Sequence, residues 1–271
     1  MRARLEVASF MYHDVADQRL ESGFQRPGAV PYTLSRAAFA RHLEHFRAGG
    51  PAPGLVTAID FTRPARHRLL TFDDGGRSAV EIGDQLARLG WKGHFFVVTG
   101  RIGQPTFLDP DQIRYLRGCG HLIGSHSHSH PDIFRDLPRA AMVEEWRISR
   151  DILEQLLGES CPVASLPGGD ISPAVAASAG EAGLRVLFTS EPRLTPGLAG
   201  ECRLLGRFSV KAATSSARVR ALSRFHGWHR AQLVRGLKVA ARRALPPLYR
   251  LYVRWSATEH AGPNAGPLGV W

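Results

Sequence analysis

Short apolar runs alternate with stretches of helical period through the first 210 residues, the sign of βα units around parallel strands. The runs predict strands at about 5–12, 69–72, 94–99, 122–126, 162–166, 185–189 and 203–210. Between them, 35–48, 77–90, 110–118, 138–157 and 172–183 carry apolar residues at helical spacing, as in Met142, Trp146, Ile152, Leu153, Leu156 and Leu157. Local punctuation supports these boundaries. Asp109-Pro110-Asp111-Gln112 supplies an N-cap, a proline for the first helical position and a glutamine for a capping box, and Gly118 and Gly120 follow as stop signals. Seven strands joined by five clear crossovers predict an α/β fold with a barrel-like sheet.

Composition sharpens this picture. The chain has 271 residues, 44% hydrophobic and 22% charged, with no apolar run long enough to span a bilayer, so neither a disordered nor a membrane-spanning protein is expected. The first residues, MRARLEVASFMYHDV, carry no long apolar h-region, and the expected compartment is the cytoplasm. Cys119, Cys161 and Cys202 form no CxxC and leave an odd count, as reduced buried thiols do. The net charge of +11 is unevenly spread: residues 1–199 hold 22 basic and 22 acidic residues, while residues 200–271 hold 13 basic and 2 acidic. The whole excess belongs to the last quarter. We therefore divide the chain into a barrel over residues 1–210 and a basic helical extension over 211–271, broken by Pro246-Pro247.

Two predicted strand ends carry chemistry. Leu69-Leu70-Thr71-Phe72-Asp73-Asp74-Gly75 ends in adjacent carboxylates, which suit one metal ligand and one general base, although Asp-Asp-Gly alone also reads as a solvated turn. Leu122-Ile123-Gly124-Ser125-His126-Ser127-His128-Ser129-His130 holds three histidines in five residues. His126 and His130 can meet on one cation if the chain turns between them. With Asp74 they make a two-imidazole, one-carboxylate set with open positions, the pattern of a catalytic metal site. Both motifs fall at carboxyl ends of strands, where α/β enzymes gather their chemistry.

In order, Met11-Tyr12-His13, Thr71-Phe72-Asp73-Asp74-Gly75, Phe95-Phe96-Val97-Val98, Gly124-Ser125-His126-Ser127 with His130-Pro131, and Pro167-Gly168-Gly169 resemble the polysaccharide deacetylases, carbohydrate esterase family 4, also called the NodB-homology domain. The resemblance covers residues 5 to about 210 and implies a distorted (β/α) barrel that removes N-acetyl groups from an amino-sugar-containing glycan. It implies that Asp73 is the catalytic base, that Asp74, His126 and His130 bind a divalent ion, usually Zn2+, and that the Gly168 N–H helps hold the oxyanion. His128 falls where the family is variable and is expected beside the site or exposed.

Two positions depart from the family. Ser165 stands where an arginine often braces the base, and Leu205-Gly206-Arg207 stands where the family has a histidine that protonates the leaving amine. Arginine stays protonated, so Arg207 can stabilise charge but not donate a proton; it also reads as a strand-end surface charge. His13 is the candidate acid, with a structural histidine as the alternative.

In the extension, Leu233, Leu237, Ala240, Ala241, Ala244 and Leu245 share one helical arc, and Arg235, Lys238, Arg242 and Arg243 the other. Such a helix lies on an anionic membrane, helped by Leu248, Tyr249, Leu251, Tyr252 and Trp255, or packs its apolar arc on the barrel. Nucleic acid is an unlikely partner, since no binding motif accompanies the charge. Two functions fit: a metal-dependent deacetylase of an N-acetylated saccharide, or a catalytically silent saccharide-binding protein on the same fold.

Overall fold

A computed structural model describes residues 4–18 and 21–244, with Leu251, Val253, Trp255 and Ser256 beyond them. Strands β1 (Glu6–Tyr12), β2 (Arg66–Phe72), β3 (His94–Val97), β4 (Leu122–Ser125), β5 (Val163–Ser165) and β6 (Val186–Phe188) lie side by side in sequence order, all parallel. Helices α1 (Arg36–Arg47), α2 (Ala79–Arg88), α3 (Pro110–Gly118), α4 (Arg139–Leu157) and α5 (Pro173–Glu181) connect them in order, as expected of βα units. The capping box at Asp109 and Gln112 forms on both sides, and α3 ends at Gly118. In α4, Met142, Trp146, Ser149 and Leu153 are buried, the stripe that a helix must turn inward.

The predicted strand over 203–210 is a single extended stretch that changes partners. Its first half, β8 (Cys202–Leu205), pairs with β6, and its second half, β9 (Phe208–Ser209), pairs with β1 at the far side of the sheet. The residues Gly206 and Arg207 between them close the sheet into a distorted barrel. A Cβ on Gly206 would come 2.2 Å from the Glu191 carbonyl oxygen, so only glycine fits this seam. A short strand the sequence did not reveal, β7 (Gly197–Ala199), adds antiparallel to β8.

The strand pleat sorts side chains between two cores. On β2, Leu69 joins an interior layer with Val7, Phe96, Val163, Phe188 and Leu205, one from each of six strands. Leu70 and Phe72 join the layer under the helices. The same phase points Asp73 into the barrel. Packing does not change where the charge does: Val219 and Leu222 of α6 (Ser216–Ser223) and Trp228 of α7 (Trp228–Ala244) belong to that second core, and Trp228 meets the ring of Phe10 at 5.7 Å.

The helix α7 corrects one expectation. Its anchors are Trp228, Ala231 and Arg235, the last paired with Glu191 at 3.2 Å and Asp170 at 3.1 Å, whereas Leu233 and Leu237 are 68% and 72% exposed. The described part of the arc, Leu233, Leu237 and Ala240, does not pack on the barrel, because Trp228 sets the helix rotation and turns these residues outward. The side chains of Lys238, Ala241, Arg242, Arg243 and Ala244, and the residues Leu245, Leu248, Tyr249 and Tyr252, lie outside the described set. No helix of the described residues is long and apolar enough to cross a membrane.

Candidate active site

Asp73 and Asp74 are adjacent in sequence, yet they sit in different surroundings. Pleat alternation carries Asp73 inward, where Arg207 grips it with two parallel hydrogen bonds, Nη1 to Oδ1 at 2.7 Å and Nη2 to Oδ2 at 2.9 Å. The remaining N–H groups of Arg207 reach the Thr71 hydroxyl at 3.0 Å, the Ser165 hydroxyl at 2.7 Å and the Thr189 carbonyl at 3.1 Å. All five guanidinium donors are satisfied in a group with no exposed surface. Ser165 donates to Asp73 Oδ2 at 2.9 Å, completing a closed triangle. Burial alone would raise the Asp73 carboxyl; Arg207 and then His126 overcome it and hold the group below the usual carboxylate range.

This arrangement corrects one reading of Arg207 and explains Ser165. Arg207 is no surface charge. It reaches across the seam to grip Asp73, and a small hydroxyl at Ser165 leaves it room. The physical cause lies in the pleat: Gly206 turns toward the Glu191–Arg193 backbone, so Arg207 must point inward.

Asp74 takes a left-handed backbone, φ 77°, which swings its carboxylate toward two imidazoles. Gly75, at φ 75°, follows it beneath Val97, whose Cα would lie 3.2 Å from an added Cβ. His126 leaves the end of β4, and Ser127 (φ 63°) and His130 (φ 57°) reverse the chain twice, bringing the two histidine rings to 5.1 Å. Three of the five left-handed non-glycine residues described therefore sit at this site, where such strain tends to gather. Glu145 of α4 secures the reversal, accepting from the backbone N–H groups of His128 and Ser129 at 2.9 and 2.8 Å and from the Ser129 hydroxyl at 2.6 Å. His128 stands apart from this group and bonds Thr99 at 3.1 Å.

The donor atoms of Asp74, His126 and His130 lie within 4.8 Å of one another. Asp74 Oδ1 is 3.3 Å from His126 Nε2 and 3.6 Å from His130 Nε2. Metal bonds of about 2.0 to 2.1 Å in a tetrahedron would set donors roughly 3.4 Å apart, so the trio fits a zinc-like ion in spacing and in chemistry. His126 Nδ1 lies 2.9 Å from the Ser165 carbonyl, which fixes the ring with Nε2 toward Asp74. Burial would lower His126, but Asp73 and Asp74 outweigh it and raise the ring. Burial pushes His130 down to about 3, so its ring is neutral, the form that can bind a metal ion. Asp74 is held well below the carboxylate range, since His126 and the other histidines overcome its burial.

His13 and Gly168 line the same cavity as Asp73, Asp74, His126, His130 and Arg207. His13 ends the inward phase of β1, meets the Tyr32 ring at 4.6 Å with the planes tilted by 42°, and has a buried Nδ1 without a hydrogen-bond partner. Burial lowers its pKa against the pull of Asp74 and Asp73. Gly168 sits in a 3-10 turn over Pro167–Gly169 with φ 65°.

Three supporting residues carry no sequence signal. Arg26 lies 3.1 Å from His130 Nδ1 and 3.4 Å from Asp132, and Glu145 anchors the histidine loop as described. Asp14, pushed up to about 6 by burial, accepts from the hydroxyls of Ser22 and Ser78 and ties the end of β1 to the start of α2. None of them belongs to a recognisable local motif.

Residues 61–187 match the family model described as polysaccharide deacetylase. The fold resembles that of IcaB from Ammonifex degensii, at 22% identity and a TM-score of 0.64 over 81% of this chain and 97% of that one. It also resembles a de-N-acetylase from Aggregatibacter actinomycetemcomitans (16% identity, TM-score 0.66, 80% and 99% covered). A third similar fold is the deacetylase PplD of Streptococcus pyogenes, solved in complex with acetate (17% identity, TM-score 0.63, 80% and 97% covered).

Proposed function

Residues 61–187 are a polysaccharide deacetylase domain, and from that premise we propose that the protein removes N-acetyl groups from an amino-sugar-containing saccharide with the help of a divalent ion held by Asp74, His126 and His130. When bound, such an ion, zinc by the nature of the donors, supplies Lewis acidity that polarises an acetamide carbonyl and acidifies water. Asp73 supplies the base. Its Oδ2 faces the ligand side, 3.9 Å from His126 Nε2, and its ionised state at neutral pH leaves it ready to take a proton from water. Arg207 holds the carboxylate in place during that transfer. The Gly168 N–H is offered to the carbonyl oxygen as charge develops there. The proton that Asp73 takes from water goes on to the amine as the carbon–nitrogen bond breaks, with His13, across the cavity and kept neutral by burial, as the relay, and acetate and the free amino sugar leave.

The observation that carries this reading is the ionised, bidentately clamped Asp73 beside the ligand trio. A silent saccharide-binding protein has less use for a braced base. The competing reading draws on the same clamp, because the Arg207 grip also weakens Asp73 as a base. Acetate release from an N-acetylglucosamine oligomer by the metal-loaded protein separates them. Asp73→Asn is expected to keep the metal and lose about 10² to 10⁴ in rate, the range for removing a general base. Oligosaccharide binding without acetate release by the unaltered protein would leave only the silent reading.

The same reading puts the protein in the cytoplasm with α7 against the anionic inner face of the membrane. Its support is the exposed Leu233, Leu237 and Trp255 within a basic stretch of chain. Each basic residue near such a surface contributes about 1 kcal/mol, so the protein should sediment with anionic vesicles at low salt and release at high salt. Indifference to these vesicles at low salt removes the membrane from the account.

A further inference from the structure

The cavity around Asp74, His126 and His130, about 810 Å³, is larger than one acetylated hexose requires. It runs to a second wall built by β9, α6 and α7, and that wall is cationic: Lys211, Arg218 and Arg230 all line it. Other arginines of the cavity are matched, Arg26 by Asp132, Arg207 by Asp73, and Arg235 by Asp170 and Glu191. Among the described residues, Lys211, Arg218 and Arg230 have no carboxylate partner.

Their placement relates this wall to the reacting groups. The Lys211 ammonium lies 4.8 Å over the Tyr32 ring, and that ring touches His13, the centroids 4.6 Å apart. Arg218 sits 5.8 Å over Phe208, the neighbour of Arg207, and spends only one long hydrogen bond, 3.4 Å to the Gly227 carbonyl. Thr214 and Ser215 at the start of α6 also line the cavity, which directs the positive end of that helix at the same space. Three like charges gathered on one wall repel one another unless an anion complements them.

Resting on the deacetylase reading, we propose that this wall is an anion subsite and that the acetylated sugar bears a phosphate or diphosphate beside the reacting acetamide. Three cations and a helix start match a polyanion better than a single carboxylate, and a neutral glycan would leave them without complement. Two sources carry that chemistry, a nucleotide-linked sugar and a lipid-linked sugar.

Binding is measured by calorimetry on the metal-loaded, full-length protein with N-acetylglucosamine, its 1-phosphate, its uridine diphosphate form and a short polyprenyl-diphosphate form in micelles, with acetate release followed separately. A phosphorylated form should bind at least about tenfold more tightly than the neutral sugar, and the advantage should shrink with salt. Preference for the nucleotide form identifies a soluble substrate, and preference for the polyprenyl form a membrane-borne one. Lys211→Ala/Arg230→Ala should abolish the advantage, and Lys211→Arg/Arg230→Lys should retain it. Equal affinity for neutral and phosphorylated sugars, or an advantage that survives Lys211→Ala/Arg230→Ala, overturns the inference. Acetate release without phosphate preference leaves the deacetylase standing and the anion subsite fallen; phosphate-dependent binding without acetate release does the reverse.

Discussion

The barrel interior and its rim hold adjacent carboxylates by different means. Inside, Asp73 is fixed by partners remote in sequence, Ser165 and Arg207, through hydrogen bonds that saturate the guanidinium and leave no exposed surface. At the rim, Asp74 and His130 stand on left-handed backbones, tethered by Glu145, which grips the histidine loop, and by Arg26, which meets His130 Nδ1. The interior arrangement depends on the whole sheet closing, and its removal should be felt as lost stability. The rim depends on local reversals, so its removal should be felt as lost metal.

Arg207→Met tests the first half most severely. It strands a buried carboxylate, and breaking a buried pair from one side costs about 3 to 5 kcal/mol, to be read by denaturant unfolding of the metal-free protein. Asp73→Asn/Arg207→Met should recover part of that loss, since the stranded charge is then gone. A loss of only a few tenths of a kcal/mol on Arg207→Met would mean that interior and rim are held alike.

His94 gives a smaller interior effect through pH. Burial pushes it down to about 4, with Nδ1 2.9 Å from the Leu70 carbonyl and Nε2 accepting from the Val56 N–H at 2.9 Å. A histidine depressed on folding contributes fully above its unfolded pKa, so stability is lost as pH falls from about 6.5 to about 4, by on the order of 3 kcal/mol. His94→Asn should flatten that part of the stability profile. An unchanged slope in the variant would show that another group drives acid sensitivity.

Glu145→Ala sharpens the rim half. Groups that orient ligands typically tune metal affinity by about 10- to 100-fold, so zinc binding should weaken by that range while unfolding free energy shifts by roughly 1 kcal/mol or less. A large stability loss with unaltered zinc affinity would make Glu145 a fold element rather than a tether of the metal loop.

The strand ends, helix caps and metal trio were legible because each is written in a few neighbouring residues: Asp109 with Gln112, Asp73 with Asp74, His126 with His130. The seam was not. Residues 203–210 read as one strand, and nothing in them says that Leu205 pairs toward β6 while Phe208 pairs toward β1. The direction of Arg207 follows from that exchange and from the crowded approach at Gly206, both of which exist only once the barrel is closed. The helical arcs of α7 were also legible, but the face turned to the barrel was set by Trp228 and by the Arg235 ion pairs.

The seam has a kinetic consequence. Pairing Phe10 with Phe208 joins nearly the two ends of the barrel sequence, the longest loop closure in the sheet, whereas β1 to β6 can zip together through successive nearer contacts. A chain caught before that last pairing already has Asp74, His126 and His130 on formed strand ends, but its Asp73 still waits for Arg207. On the proposed function, metal capture would then precede maturation, and turnover would arrive only with the final pairing, so a half-made molecule would hold its ion without doing chemistry.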